Sequence, residues 1–528
     1  MVRMSQHPRQ LQPAAGTVPR NRGFFGHPLG LMTLFTTELW ERFSYYGMRA
    51  ILLYYLTDAV AKGGLGIGET TGLAIVSIYG SSVYLLAVVG GWLADRILGA
   101  RRSTLYGGVV IAAGHICLSV PSAQFSYLGI VLVALGTGLL KPNVSAMVGE
   151  LYSREDGRRD SGFSIFYMGI NIGSLFAPIL VGAARAIGGY HAGFAVAAVG
   201  MALALVFFVA GRRLLGAAGA GAPNPLTPAD RPGLIRSGGM IGGLIVAVLL
   251  GARLISGSFG VSTLIDTLSI LAFAAPVAYF VVMIRSPKVT TPERSRLKAY
   301  IPLFIAATLF WMIFEQAATT LASFAANRTD LSAFGTNIAP ELFQSVNPAA
   351  IILLAPVFAW LWIKLDNPPP TAVKFAIGLT LAASSFLFLS AASYAAGSDG
   401  KTPAWVLVIV YVVQTLGELC LSPVGLAATT LLAPRAFRSQ AMALWFLAPA
   451  AGQAITAQLV TATEGTTDTV YFGAIGVVAL VFAVALFAVA PWVERHIVAG
   501  AETSAEAAEA ADAADAADEA GAEDAVVR

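Results

Sequence analysis

Apolar runs long enough to cross a bilayer, each ended by a short polar stretch, make up most of this chain. They fall near 31–60, 73–95, 103–121, 126–150, 162–184, 191–211, 236–255, 261–284, 300–326, 342–364, 372–396, 403–432, 437–463 and 470–494. A membrane-spanning helix needs about 20 mostly apolar residues, whereas a membrane barrel shows short alternating segments. The pattern predicts an all-α polytopic protein with 14 transmembrane helices.

The loops test that count. With the N-terminus placed inside, the inner loops and termini hold 25 Lys and Arg and the outer loops five, while Arg42, Arg49 and Lys141 lie within spans. This bias satisfies the positive-inside rule, and one missed span would scramble it. Both termini are therefore expected in the cytoplasm, with the chain in a bacterial inner membrane. The polar start of the chain lacks the apolar region of a signal peptide and reads as a cytoplasmic arm. The seventh and eighth spans follow a Gly/Pro-rich stretch, 216–233, and read as an insertion. The expected organisation is an N-terminal arm (1–30), a six-helix bundle (31–213), a linker with an inserted helix pair (214–298), a second six-helix bundle (299–497) and an acidic Ala-rich tail (498–528).

Composition agrees: 56% of residues are hydrophobic and 12% charged, about half the charge of a soluble domain. Cys117 and Cys420 lie inside apolar runs and read as small buried hydrophobes. No metal cluster, nucleophile elbow or phosphate loop is found, so neither an enzyme nor a resident cofactor is expected. Nor is a nucleic-acid partner expected.

Charges inside spans carry the chemistry. Each costs about 2.5–3.5 kcal/mol at mid-bilayer and usually faces a cavity or a partner. The first span holds Glu38, Glu41, Arg42 and Arg49, which with Tyr45 fall on one helical stripe roughly 100° wide. Lys141, Glu315 and Glu418 stand alone in other spans. A static buried pair gains little over apolar packing, so pairs that form and break explain so many charges better. His115, in the third span, reads as a packed core residue.

These residues sit in recognisable motifs. Glu38-Leu-Trp-Glu41-Arg42-Phe43-Ser44-Tyr45-Tyr46-Gly47-Met48-Arg49 resembles the ExxER signature of the proton-dependent oligopeptide transporter family. Gly90-Gly91-Trp92-Leu93-Ala94-Asp95-Arg96, Gly138-Leu139-Leu140-Lys141-Pro142-Asn143 and Phe166-Tyr167-Met168-Gly169-Ile170-Asn171 resemble further signatures of that family, as do Phe310-Trp311 with Glu315-Gln316, Gly417-Glu418 with Ser422-Pro423, and Trp445-Phe446. The ordered set runs from residue 24 to 450. The resemblance implies a major facilitator fold, with two six-helix bundles around a midplane site and an inserted pair like that of bacterial members.

It also implies a symporter that uses the proton gradient, with no cofactor, to import di- and tripeptides by alternating access, working as a monomer in the lipid bilayer. Glu38, Glu41, Arg42 and Glu315 would couple to protons. Arg42, Tyr45, Tyr46, Tyr84, Lys141, Asn171, Trp311, Asn347, Glu418 and Trp445 would bind the peptide. Arg49–Glu315 would close the outer side and Lys141–Glu418 the inner side. Asp95-Arg96 and Arg101-Arg102 resemble the general facilitator loop, which bridges helix ends in one state. The chemistry is consistent: a zwitterion needs a fixed cation, a fixed anion, amides for its backbone and tolerant aromatic walls. Another solute such as nitrate or a drug is an alternative cargo. A non-transporting sensor is a further alternative, though the intact charge set speaks against it.

Overall fold

The computed structural model describes residues 23–153, 156–257, 259–333, 336–365, 368–398 and 400–527, the side chains of 237, 255–256, 333, 336, 423, 438–439 and 500–527 excepted. Most of the N-terminal arm, the Pro423 side chain and the acids of the tail therefore lie outside the described residues.

The first half contains α1 (Leu29–Thr57), α2 (Glu69–Leu93), α3 (Ala100–Leu118), α4 (Ala123–Glu150) and α5 (Arg159–Gly211). The inserted pair is α6 (Arg231–Ser256) and α7 (Val261–Arg285). The second half contains α8 (Thr291–Phe314), the short α9 (Thr320–Asn327), α10 (Val346–Lys364), α11 (Thr371–Ala396), α12 (Ala404–Leu432), α13 (Arg438–Ala462) and α14 (Asp468–Val527), whose far end takes in the Ala-rich tail. One core packs α1 against α5 and α3 against α4, around Phe43, Met48, Tyr55, Phe194 and Met201. A second packs α8, α11, α12 and α14 around Phe310, Phe375, Phe386 and Phe472.

Among the described residues, 11 helical stretches are long and apolar enough to cross a membrane, against the 14 spans expected. The difference has a physical origin. α1 carries too many charges and α3 is too polar to be counted by hydropathy, and the fifth and sixth expected spans count as a single stretch, α5, although they are two helices that part at Gly189. At 53 residues α5 would be roughly 80 Å long if straight, far beyond a ~30 Å hydrocarbon core. It bends at Gly189, whose φ of 76° and ψ of −175° break the helix. Only glycine adopts that conformation without strain, and a side chain there costs about 1–3 kcal/mol. Gly189→Ala meets no neighbouring atom, so its penalty is purely backbone. We expect a lower thermal unfolding midpoint in detergent; an unchanged midpoint would remove the bend from the determinants of stability.

The Asp95–Arg102 segment holds the linker and, through Asp230, the start of α6. Arg96 pairs with Asp230 at 3.0 Å, Asn224 donates to Asp95 Oδ1 at 3.0 Å, and Arg101 donates to the carbonyls of Gly216 and Ala218 at 2.8 and 2.6 Å. Beyond the linker, α7 lies against both α2 and α13, in a cluster of Ala74, Ile78, Ile265, Ala272, Ala454 and Val460.

Candidate substrate cavity and its charged walls

Glu315 sits where the ninth expected span loses its helical winding. α8 ends at Phe314, a 3-10 turn covers Glu315–Ala318, and Thr319 (φ −124°, ψ −102°) breaks the chain before α9. A backbone carbonyl released there is available to a partner, and irregular backbone at such depth is tolerated only inside the protein or beside a cavity. Arg49, from α1, takes up both groups: its Nη2 bonds the Glu315 carboxylate and donates to the Glu315 carbonyl at 3.0 Å. Tyr84, on α2, donates to the other carboxylate oxygen at 3.2 Å, and Lys141 Nζ stands 4.0 Å from the centre of the Tyr84 ring. A chain of contacts thus runs from Lys141 through Tyr84 to Glu315 and Arg49.

The α1 stripe makes a second cluster. Arg42 Nε reaches Glu41 at 2.5 Å and Glu38 at 3.2 Å, and its guanidinium lies 5.2 Å from the Tyr45 ring centre. All four are buried. Arg42 Nη2, Glu38 Oε2 and Glu41 Oε1 find no partner among the described residues. Buried polar groups are almost always bonded, so these atoms mark a place where further polar groups belong.

The predicted residues other than Glu41 and Tyr45 line one cavity of about 340 Å³ between the halves. Glu38, Arg42, Tyr46, Arg49, Tyr84, Lys141 and Asn171 form the wall from the first half. Trp311, Glu315, Asn347, Glu418 and Trp445 form the facing wall. Glu41 and Tyr45 lie behind it: Glu41 is fully buried beneath Arg42, and Tyr45 stacks on Tyr79 with centroids 6.3 Å apart. Their spacing on the stripe is right, but neighbouring side chains cover them.

Glu418 does not pair with Lys141 in this conformation. It accepts from Asn347 Nδ2 at 3.1 Å, and the same amide donates to Thr415 at 2.9 Å. Trp311 meets Phe310 and Phe314 edge-on at 5.4 and 5.3 Å, and its indole N–H has no partner among the described residues. The cavity also recruits Tyr167, Gln344, Tyr411 and Gln414. Sequence reasoning missed them because uncharged polar residues inside apolar runs resemble helix-packing residues. His115 is fully buried on α3, away from the cavity. Among the described residues no cluster of His, Cys, Asp or Glu could hold a metal ion.

Contacts between the halves gather at the end of the molecule where α1 finishes. Tyr54 donates to the Ala322 carbonyl at 3.0 Å, Ser81 to the Ala450 carbonyl at 2.8 Å, Ser345 to the Leu175 carbonyl at 2.9 Å, and Thr70 to Glu464 at 3.0 Å. Arg185 on α5 grips Glu341, just before α10, through two bonds of 3.0 Å. The sequence reading left Arg185 in an outer loop and gave Glu341 no role; only a charge next to an apolar run hinted at either.

Comparison with known proteins matches this architecture. The profile of the POT family fits residues 101–478. An uncharacterised transporter, YclF, of Bacillus subtilis (strain 168) is 49% identical over 482 residues, covering 91% of this chain and 96% of that protein. A di-/tripeptide transporter of Lactococcus lactis subsp. cremoris is 45% identical over 475 residues, covering 88% and 95%. The crystal structure of the peptide transporter POT in complex with sulfate superposes with a TM-score of 0.85 at 52% identity, covering 90% of this chain and 97% of that one. With a cavity enclosed by two helical halves, an ExxER stripe against its wall and similarity along nearly its whole length, this multi-pass membrane protein belongs to the POT family of transporters.

Proposed function

We propose that the chain imports di- and tripeptides in symport with protons by alternating access, as a monomer in the bacterial cytoplasmic membrane. In this reading it has 14 spans, both termini cytoplasmic, and no cofactor or enzymatic activity. The observation that carries the reading is the cavity's polarity. Two cations, Arg42 and Lys141, stand on one wall, and an anion held by an amide, Glu418, stands on the other. A zwitterion with a carboxylate at one end and an ammonium at the other fits between them. Asn171 and Asn347 offer amides to its backbone, and Tyr46, Tyr84, Trp311 and Trp445 accept varied side chains. Small-molecule sites range over about 300–1,000 Å³, so the cavity suits short peptides and excludes long ones. A metal site or nucleophile is not needed for this work.

The cycle follows from which contacts are made. In this reading the α1 N-terminus lies inside, so the sealed end is the outer one and this conformation serves the cytoplasmic side. Arg49–Glu315 holds it. Lys141–Glu418 takes over when the inner side closes, because only contacts that differ between states shift their balance. A proton arriving on Glu315 loosens its hold on Arg49 and favours outer opening. The Glu38–Glu41–Arg42 cluster supplies the other carboxylates for coupling.

Uptake of a labelled dipeptide into proteoliposomes tests this. With the imposed gradient inward-acidifying, the dipeptide accumulates; without the gradient it only equilibrates. Accumulation that ignores the gradient sinks the coupling. Failure of unlabelled di- and tripeptides to compete sinks the cargo assignment and leaves another small solute.

A further inference from the structure

We infer that Arg185 and Glu341 form a second outer closure, separate from the substrate cavity, that sets how readily the outer side opens. The inference rests on the transporter reading only for the existence of two alternating states. The pair spans the halves, joining α5 to the turn before α10 through Nε–Oε1 and Nη2–Oε2 contacts of 3.0 Å each. A paired fork of this kind fixes geometry as well as charge. The Glu341 carboxylate is fully buried, whereas Arg185 remains partly exposed. Neither residue lines the cavity, so neither meets the cargo directly.

The local structure is shaped for this contact. Gly182, one turn before Arg185, lies so close to Glu341 that a Cβ would come 2.7 Å from Oε1. A glycine there lets the carboxylate seat against the α5 backbone. Around the arginine, the Tyr54 and Tyr190 rings lie 5.8 and 5.4 Å from the guanidinium carbon, and Tyr190 both accepts from Arg185 at 3.3 Å and donates to Asp58. These partners all belong to the first half. When the halves part, Arg185 keeps a tyrosine–aspartate cradle, and Glu341 exchanges a buried partner for water. The bridge therefore exists only in the closed state and stabilises that state alone. Tyr54, packed on the same arginine, also reaches across to the Ala322 carbonyl, and Gln344 and Ser345, beside Glu341, bond the carbonyls of Ala50 and Leu175. The pair is the charged centre of this patch.

The test reads conformation, not transport, and so stays decisive even if the cargo is wrongly assigned. Spin labels on Lys62→Cys and Lys401→Cys, exposed positions at the outer ends of the two halves, are placed in a background carrying Cys117→Ala and Cys420→Ala. Distances are measured in nanodiscs without peptide. Glu341→Gln and Arg185→Gln should each enlarge a longer-distance population, by roughly tenfold or more, since removing one partner of a buried ion pair is strongly unfavourable. The double variant should open no further than the worse single variant, because groups acting through one contact are not additive. Single variants with the parent's distance distribution would overturn the inference. So would additive opening in the double variant. If Arg185→Gln does not fold, Arg185→Lys, which keeps the charge but loses the fork, should give an intermediate shift, and no shift would count equally against the pair.

Discussion

Lys141→Ala is expected to lower peptide uptake by roughly a hundredfold, the equivalent of about 2.7 kcal/mol, in a protein that still inserts and elutes as a single species. Lys141 reaches the cavity from α4 and stands over the Tyr84 ring at 4.0 Å. Tyr84 in turn donates to Glu315. The lysine thus has two connections to lose: the cation facing a peptide carboxylate, and the ring that orients the carboxylate of the Arg49 contact. Truncating one member of a buried charged pair commonly costs 2–5 kcal/mol, and alanine leaves the Tyr84 face without its cation. Glu418, ready on the opposite wall with Asn347, would also lose the partner it needs when the inner side closes. Both binding and cycling should suffer, so saturating peptide should not restore the rate. A mutant that transports normally would make Lys141 a structural cation.

Glu41→Gln is expected to abolish accumulation driven by a proton gradient while sparing part of the counterflow exchange of peptide. Glu41 is fully buried and contacts Arg42 Nε at 2.5 Å, with Glu38 3.2 Å from the same nitrogen. Glutamine has nearly the same shape but cannot take up and release a proton. Arg42 keeps Glu38 as a counterion, so the wall facing the peptide stays formed. Exchange needs only binding and reorientation of the loaded carrier, whereas accumulation needs the proton step as well. Gradient-driven uptake at the parent level would remove Glu41 from the coupling. Loss of both activities would show instead that the carboxylate holds Arg42 in place.

The membrane-embedded charges made much of the site legible early. A charge within an apolar run stands out in sequence, because the bilayer penalises it unless something faces it. Glu38, Arg42, Arg49, Lys141, Glu315 and Glu418 were found on that ground, and the cavity wall contains them all. Tyr167, Gln344, Tyr411 and Gln414 carry no such penalty, since uncharged polar groups in helices satisfy themselves locally, as Thr308 and Thr415 do on the carbonyls four residues back. Nothing in a one-dimensional pattern separates them from packing residues. Glu41 and Tyr45 show the converse: their place on the helical stripe was right, yet Arg42 and Tyr46, which pack against them, line the cavity in their stead.

By itself the sequence determined a helical membrane protein, the approximate position of each helix, the separation into two halves with an inserted pair, and the in-span charges that lipid cannot solvate. These follow from local hydropathy and from the cost of isolated charge, which depend on neighbours along the chain. Tertiary structure alone decided that the fifth and sixth expected spans part at Gly189, that α8 unwinds at Glu315, and that the Asp95–Arg102 segment clasps the linker. It made the Arg49–Glu315 contact that the resemblance implied and joined Arg185 to Glu341, a pair the sequence did not suggest, while Glu418 turns to Asn347. Those choices depend on how helices meet in one state of the protein, and residues 71 to 266 positions apart carry no local signal of that meeting.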